Sequence, residues 1–418
     1  MMKFAHIEIS ARFIFTLATG SFVLASCVPT ERDASEDQQT DELDGTPQAP
    51  HAQVCSGGRW LCKAHIRTDA QSRIIPSTTP FGLGPADLAS AYNLSASQTS
   101  SATIAIVDAF HYPNAAKDLA AYRSQFGLPP CTVANGCFKI VNQYGAPSPL
   151  PGNSPPGDNW TVEAALDLDM ASAACPTCKL VLVEAQDDVG NGLFVAQNAA
   201  AAIPGVAAIS DSWGGPSDGT DLSMDAQFFT HTQAVNTFVA SGDSGNTGST
   251  PDYPSTSATV IGVGGTHLAT STTARGWTET AWAGSGSSCS QLITKPNFQS
   301  TVPAGACRKR ATSDVSAVGD PATPVAVFNE GVGGWVAVAG TSASSPFVAG
   351  VYARYGITGS THDAGYAYCH TSEFFDIKSG NNGTCTSALC NAGVGWDGPT
   401  GIGSPNGALL GSSGTTSP

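Results

Sequence analysis

Ile104-Ala105-Ile106-Val107-Asp108 is a short apolar run closed by a carboxylate. It opens a series of strand-like runs, Ile104–Val107, Leu180–Val183, Ala207–Ile209, Thr237–Ala240 and Val260–Val263. Helical stretches such as Ala115–Phe126 and Gly192–Ala202 alternate with them. Alternation of this kind reads as a parallel α/β sheet. In open sheets of that class the loops at the carboxyl ends of the strands collect reactive groups. Gly264 to Val338 is richer in Gly, Ser and Thr and is expected to add irregular strands and loops. No internal repeat is evident, and the remaining length suffices for one sizeable core.

Beyond that stretch, Gly340-Thr341-Ser342-Ala343-Ser344-Ser345-Pro346 leads into Phe347-Val348-Ala349-Gly350. The glycine permits a sharp turn, leaves the Ser342 hydroxyl exposed and aims its amide N–H outward at a helix N-terminus. Ser342 is therefore a candidate nucleophile in need of a base. Trp160-Thr-Val-Glu163-Ala-Ala-Leu-Asp167-Leu-Asp-Met170 carries a helical apolar period through Ala165/Leu166, Met170 and Ala173/Ala174. Glu163 and Asp167, at i and i+4, share one face, and if partly buried they titrate as a coupled pair with one carboxyl keeping its proton. Asp243, in Ser241-Gly242-Asp243-Ser244-Gly245, follows the run Thr237–Ala240, where a loop residue would face a cleft. Ionised, it would repel an oxyanion; neutral, it would donate a hydrogen bond to one. All three features call for acid.

Read together, these residues resemble the sedolisin family, the serine-carboxyl peptidases on a subtilisin-like fold. The resemblance runs from about Phe81 to Gly407, through Leu83-Gly-Pro-Ala-Asp-Leu-Ala-Ser-Ala-Tyr-Asn93, Ile104–Asp108 and Ser210-Asp-Ser-Trp-Gly-Gly215. It implies Ser342 as nucleophile, Glu163 as general base, Asp167 as the carboxylate that orients it and Asp243 as the oxyanion-hole acid. The expected enzyme is an endopeptidase acting on polypeptides in acid. The rival reading is a non-catalytic surface lipoprotein that binds peptide or matrix on the same scaffold.

The family likeness also implies one structural calcium ion near the C-terminus. Phe375-Asp376-Ile377 and Gly393-Val-Gly395-Trp-Asp397 fit that pattern, with Asp376 and Asp397 ligating through side chains and Ile377, Gly393 and Gly395 through carbonyls. Two carboxylates plus several carbonyls suit a hard cation. Family members usually carry a long folded propeptide, whereas only about fifty residues separate Cys27 from the first matched segment.

Two other motifs lead elsewhere. Gly242-Asp243-Ser244-Gly245 looks like the nucleophile turn of trypsin-like proteases, but no histidine stands in an Ala-Ala-His-Cys setting, so Ser244 reads as a loop residue. Asp108 ends its strand much as the subtilisin aspartate does, yet no His-Gly-Thr segment follows, and Ser342 lacks the Gly-x-Ser-x-Gly elbow of lipases.

Composition places the chain outside the cytosol. Lys3 and Arg12 precede the apolar stretch Phe13 to Leu24, which Leu24-Ala-Ser-Cys27 closes in the form of a lipoprotein signal. Acylation of Cys27 would anchor the chain at a bacterial cell envelope, or the chain is secreted. Seven acids and one Arg lie between Glu31 and Asp44, which reads as a disordered tether. The expected organisation is a signal at 1–26, a tether at 27–50, a short segment with a disulfide at 51–80, the peptidase domain at 81–411 and a flexible tail at 412–418. With 33 acidic and 18 basic residues the net charge is −15, which argues against nucleic acid as partner. A monomer is expected.

Setting Cys27 aside leaves eleven cysteines. Close spacings suggest Cys55–Cys62, Cys131–Cys137, Cys175–Cys178, Cys289–Cys307 and Cys385–Cys390, with Cys369 the odd one out. Cys175-Pro-Thr-Cys178 has the spacing of a redox or zinc motif, but no second pair completes a zinc site and no thioredoxin-like context surrounds it.

Overall fold

A computed structural model describes residues 50–229, 235–357 and 363–411. The signal, Cys27, nearly all of the tether and the 412–418 tail lie outside the described residues. Among those described, no helix is long and apolar enough to cross a membrane.

Thr103–Ala109, buried at every position, forms a central strand. Near-continuous apolar runs of this kind suit parallel strands covered on both faces. Lys179–Ala185 flanks it on one side and Val206–Asp211 on the other, both parallel. From edge to edge the sheet runs Trp277–Ala281, Ile261–Thr270, Asn236–Ala240, Val206–Asp211, Thr103–Ala109, Lys179–Ala185 and Phe138–Asn142, and Val315–Val318 also pairs with Ile261–Thr270. Only Trp277–Ala281 runs antiparallel to its neighbour. Each of the five anticipated runs lies in or overlaps a strand of this sheet. Phe138–Asn142 escaped notice because its exposed Lys139 interrupts the apolar run on the edge strand.

Two helices position the chemistry. Trp160–Ala174 is buried at every residue except Thr161, and Thr341–Tyr355 is buried from Thr341 to Arg354. They cross closely at Gly350, where a Cβ would stand 2.6 Å from the Ala174 Cβ.

The N-terminal residues are woven into this body. His51–Gln53 pairs with His65–Arg67, which pairs in turn with Gly334–Ala339. Leu61–Cys62 pairs antiparallel with Trp213–Pro216. All five anticipated disulfides form. The expectation of an odd thiol at Cys369 fails: that residue is disulfide-bonded, and no cysteine among the described residues is free.

Candidate active site

Ser342 is the second residue of its helix, behind Gly340 at φ 111° and ψ 170°, a conformation open to glycine alone. Its hydroxyl donates to the Ser212 carbonyl at 3.1 Å. Pro346 has no N–H to return to the Ser342 carbonyl, which instead accepts from the Ser212 hydroxyl at 3.5 Å. The expected exposure of Ser342 is not found, since the residue is 0% exposed. The N-terminal segment covers it, and the Ser342 N–H donates to the Lys63 carbonyl at 2.9 Å.

Glu163 and Asp167 lie within the buried helix Trp160–Ala174 rather than on a wet face, both 0% exposed. None of their four carboxylate oxygens has a hydrogen-bond partner that would hold a charge. Burial raises Glu163 well above the ordinary range, and the Asp108 carboxylate adds to it, while the nearby Ser342 hydroxyl and Lys63 partly oppose the shift. Asp167 is raised by burial, then by Asp108 and Glu163, with the nearby Ser212 hydroxyl pulling the other way. Carboxyls so placed keep protons that ionised groups in water would lose.

Asp243 follows the strand Asn236–Ala240, so it stands at the carboxyl end of the sheet. Its Oδ1 accepts from the Thr341 N–H at 2.8 Å and from the Thr341 hydroxyl at 2.7 Å. Its Oδ2 has no hydrogen bond, and His65 Nε2 lies 3.4 Å away. Burial pushes Asp243 up to about 7, against the pull of the Thr341 bonds. His65 is pushed down to about 4 by burial and then by the charge of Lys63.

Two carboxylates join this group that sequence reasoning did not assign to it. Asp108 is pushed up to about 8 by burial and by Glu184, and Asp211 is raised by burial and by Asp108. Both end adjacent parallel strands, Asp108 one residue before its strand closes and Asp211 at the last residue of its own. The signal available in the sequence was a carboxylate at the end of an apolar run. The disulfide Cys55–Cys62 sits against Glu163, with sulfurs and carboxylate within 4.8 Å of one another. Bridged sulfurs are not thiolate ligands, so this group is a clamp on the N-terminal segment and not a metal site.

At the C-terminal end the loop 393–397 links the two expected calcium carboxylates. The Gly395 N–H donates to Asp376 at 3.0 Å and the Gly393 N–H to Asp397 at 3.1 Å. Thr400 donates to Asp397 through its N–H and its hydroxyl. Asp397 is pushed up to about 7 by burial, with the Asp376 charge adding a smaller part. An oxygen-only donor set with two carboxylates, the charge of Asp376 raising Asp397, fits a hard cation.

The model of the subtilase family matches residues 156–356, which contain Glu163, Asp167, Asp243 and Ser342. Kumamolisin from Bacillus sp. (strain MN-32) is 31% identical over 325 residues, covering 70% of this chain and 56% of the relative. Sedolisin from Pseudomonas sp. (strain 101) is 27% identical over 368 residues, covering 80% of this chain and 61% of the relative. The chain thus spans 56% and 61% of the length of these curated relatives, less than two thirds of each. Among solved structures, Pseudomonas sedolisin, a serine-carboxyl proteinase complexed with two molecules of pseudo-iodotyrostatin, superposes with a TM-score of 0.68 at 27% identity. That match covers 80% of this chain and 98% of the other. The fold is subtilisin-like: a central, mostly parallel sheet flanked by helices.

Proposed function

Because this chain belongs to the sedolisin family, we propose that it is a serine-carboxyl endopeptidase that hydrolyses polypeptides in mild acid. The observation that carries the reading is the meeting of Ser342, Glu163, Asp167 and Asp243, from two helices and one strand-end loop, in a buried cluster whose carboxyls are raised together. Serine needs a base, and a carboxylate can serve as one only where its pKa is high. Glu163 takes the Ser342 proton as the hydroxyl attacks the scissile carbonyl, and Asp167 shares the proton that Glu163 holds. The Ser342 N–H and neutral Asp243 donate to the oxyanion. Glu163 then protonates the leaving amine, and water hydrolyses the acyl-enzyme. Asp108 and Asp211 are themselves raised by burial, and beside Asp167 they favour its protonated form.

Asp376 and Asp397, with the carbonyls of Ile377, Gly393 and Gly395, would hold one calcium ion, which would brace the C-terminal loops without entering the reaction. Export with an acylated Cys27 belongs to the same reading and rests on the sequence; Cys27→Ser should release the protein from the membrane fraction.

The test is cleavage of an unfolded protein by the full chain and its Ser342→Ala variant, from about pH 3 to about pH 8. Acid cleavage by the first and none by the second is expected. Equal activity across that range would sink the mechanism.

A further inference from the structure

Behind the catalytic carboxyls lies a further buried acid. Asp108 and Glu184 stand opposite each other in register on adjacent parallel strands, so their side chains leave the same face of the sheet. Glu184 is 1% exposed, and a carboxylate so buried needs donors if it is to stay charged. The Tyr112 N–H donates to its Oε1 at 2.9 Å, and His111 Nδ1 lies 2.8 Å from Oε2 and 3.1 Å from Oε1. By contrast, the carboxylate oxygens of Asp108, Asp211, Glu163 and Asp167 lack a hydrogen-bond partner. Negative charge in this row therefore settles on Glu184. The turn that carries His111 is strained: Phe110 adopts φ 66°, a left-handed conformation that a bulky side chain rarely takes. Its N–H donates to the Ala185 carbonyl at 2.7 Å, and the His111 N–H donates to the Gly152 carbonyl at 2.8 Å. The chain is thus folded back over the end of the Glu184 strand, with the His111 side chain 24% exposed and that of Glu184 0%.

Asp108 faces Glu184 and Asp211 from the neighbouring strands and Glu163 and Asp167 from the helix Trp160–Ala174. Glu163 in turn faces Ser342, Asp243 and Lys63, and Asp167 faces Ser212 and Asp211. Carboxyls arranged in this way titrate as a group. Burial and then the Glu184 charge push Asp108 up to about 8. Beyond burial, an ionised Asp108 is what raises Glu163 and Asp167 most. Glu163 is a base only after it has released its proton, so a neutral Asp108 lets it work at lower pH. Burial raises Glu184 too, and the donors Tyr112 and His111 oppose that rise. Without His111, Glu184 takes up a proton more readily in acid, and the charge behind Asp108 is lost.

We propose that His111 and Glu184 are positioning residues of the peptidase: His111 anchors the Glu184 carboxylate behind Asp108, and that anchored charge fixes where the catalytic cluster keeps its protons and so how far into acid the enzyme works. This deepens the peptidase reading and rests on it. Both residues act through Asp108 and not on the substrate.

The experiment measures kcat/KM of the full chain on one unfolded protein between about pH 3 and about pH 8. Beside it stand His111→Gln, His111→Lys, Glu184→Gln and the double variant His111→Gln with Glu184→Gln, each shown by its melting curve to be folded. His111→Gln removes the ring donor and Glu184→Gln removes the charge, so in both Asp108 ionises more readily and Glu163 releases its proton less readily. The acid limb should move upward by about one pH unit, which is about a tenfold loss at the acid end. Lysine restores a charged donor beside Glu184, and His111→Lys should bring the limb back toward the wild-type position. The double variant should shift the limb no further than either single one, as two residues acting through one charge must. Should Glu184→Gln not fold, His111→Gln carries the test, because its side chain is partly exposed. A limb that stays in place or moves downward, even with a uniform loss of rate, overturns the inference and leaves the peptidase reading standing. Single shifts that add in the double variant mean that the two residues act separately, and they overturn it as well. No acid cleavage by the wild type overturns the peptidase reading, and this inference with it.

Discussion

Asp243 shows how one atom's surroundings set the working pH. Its Oδ1 is fully engaged by Thr341 while Oδ2 is left without a hydrogen bond in a buried site. Below its pKa of about 7 the carboxyl carries a proton that Oδ2 can donate; above it the group is an anion facing a developing anion. Asp243→Asn keeps the acceptor toward Thr341 and offers an N–H at every pH. The expected outcome is a pH–rate profile whose alkaline limb moves upward from about 7. A limb that stays in place would assign it to the Glu163–Asp167 pair. At this scale the sequence was legible where reactive residues sit in glycine turns or at helical spacing, as with Ser342, Asp243 and the Glu163–Asp167 pair. It was silent on Asp211 and Lys63, whose neighbours are remote in the chain, and it offered Asp108 only as a strand end.

The two buried helices are the elements that bring base and nucleophile together. Their close approach depends on Gly350, since an added Cβ would meet Ala174 Cβ at 2.6 Å and the Ala171 carbonyl oxygen at 3.1 Å. Alanine is the better helix former, so propensity alone favours the substitution by about 1 kcal/mol. Overpacking opposes it by about 1–3 kcal/mol. Gly350→Ala should therefore lower the melting temperature, and it should lower kcat more than KM because it moves Ser342 relative to Glu163. A raised melting temperature would mean that the helices part without cost. The helical period of Trp160–Ala174 was readable in advance, but its all-round burial was not. That burial turns a pair of surface acids into a proton-holding dyad.

Taken as a whole, the molecule is tuned to acid through its interior. Asp108 and Asp243 have folded-state pKa values of about 8 and about 7, raised from an ordinary value of 3.8. A raised carboxyl means that the folded state binds the proton more tightly than the unfolded chain, so its contribution is present in acid and is lost as pH rises toward the folded value. The net charge of −15 adds repulsion in the same direction. The melting temperature should fall between about pH 5 and about pH 8, and a rise over that interval would contradict the buried neutral carboxyls. Calcium acts on a different part: a chelator should lower the melting temperature of the wild type and barely alter that of Asp376→Asn, with added calcium restoring only the former. Equal sensitivity in both would place the ion elsewhere.

By itself the sequence determined the alternation of strands and helices, the glycine turn that carries Ser342, the spacing of Glu163 and Asp167 and five short-range disulfides. Each of these depends on residues close in the chain, the disulfide partners being at most 18 apart, where periodicity, spacing and backbone sterics act. Only the tertiary structure decided the buried carboxyl cluster with Asp108 and Asp211, the covering of Ser342 by the N-terminal segment and the pairing of His111 with Glu184. Those follow from desolvation and through-space charge, which depend on which distant segments the sheet brings to one edge, and no local pattern encodes that.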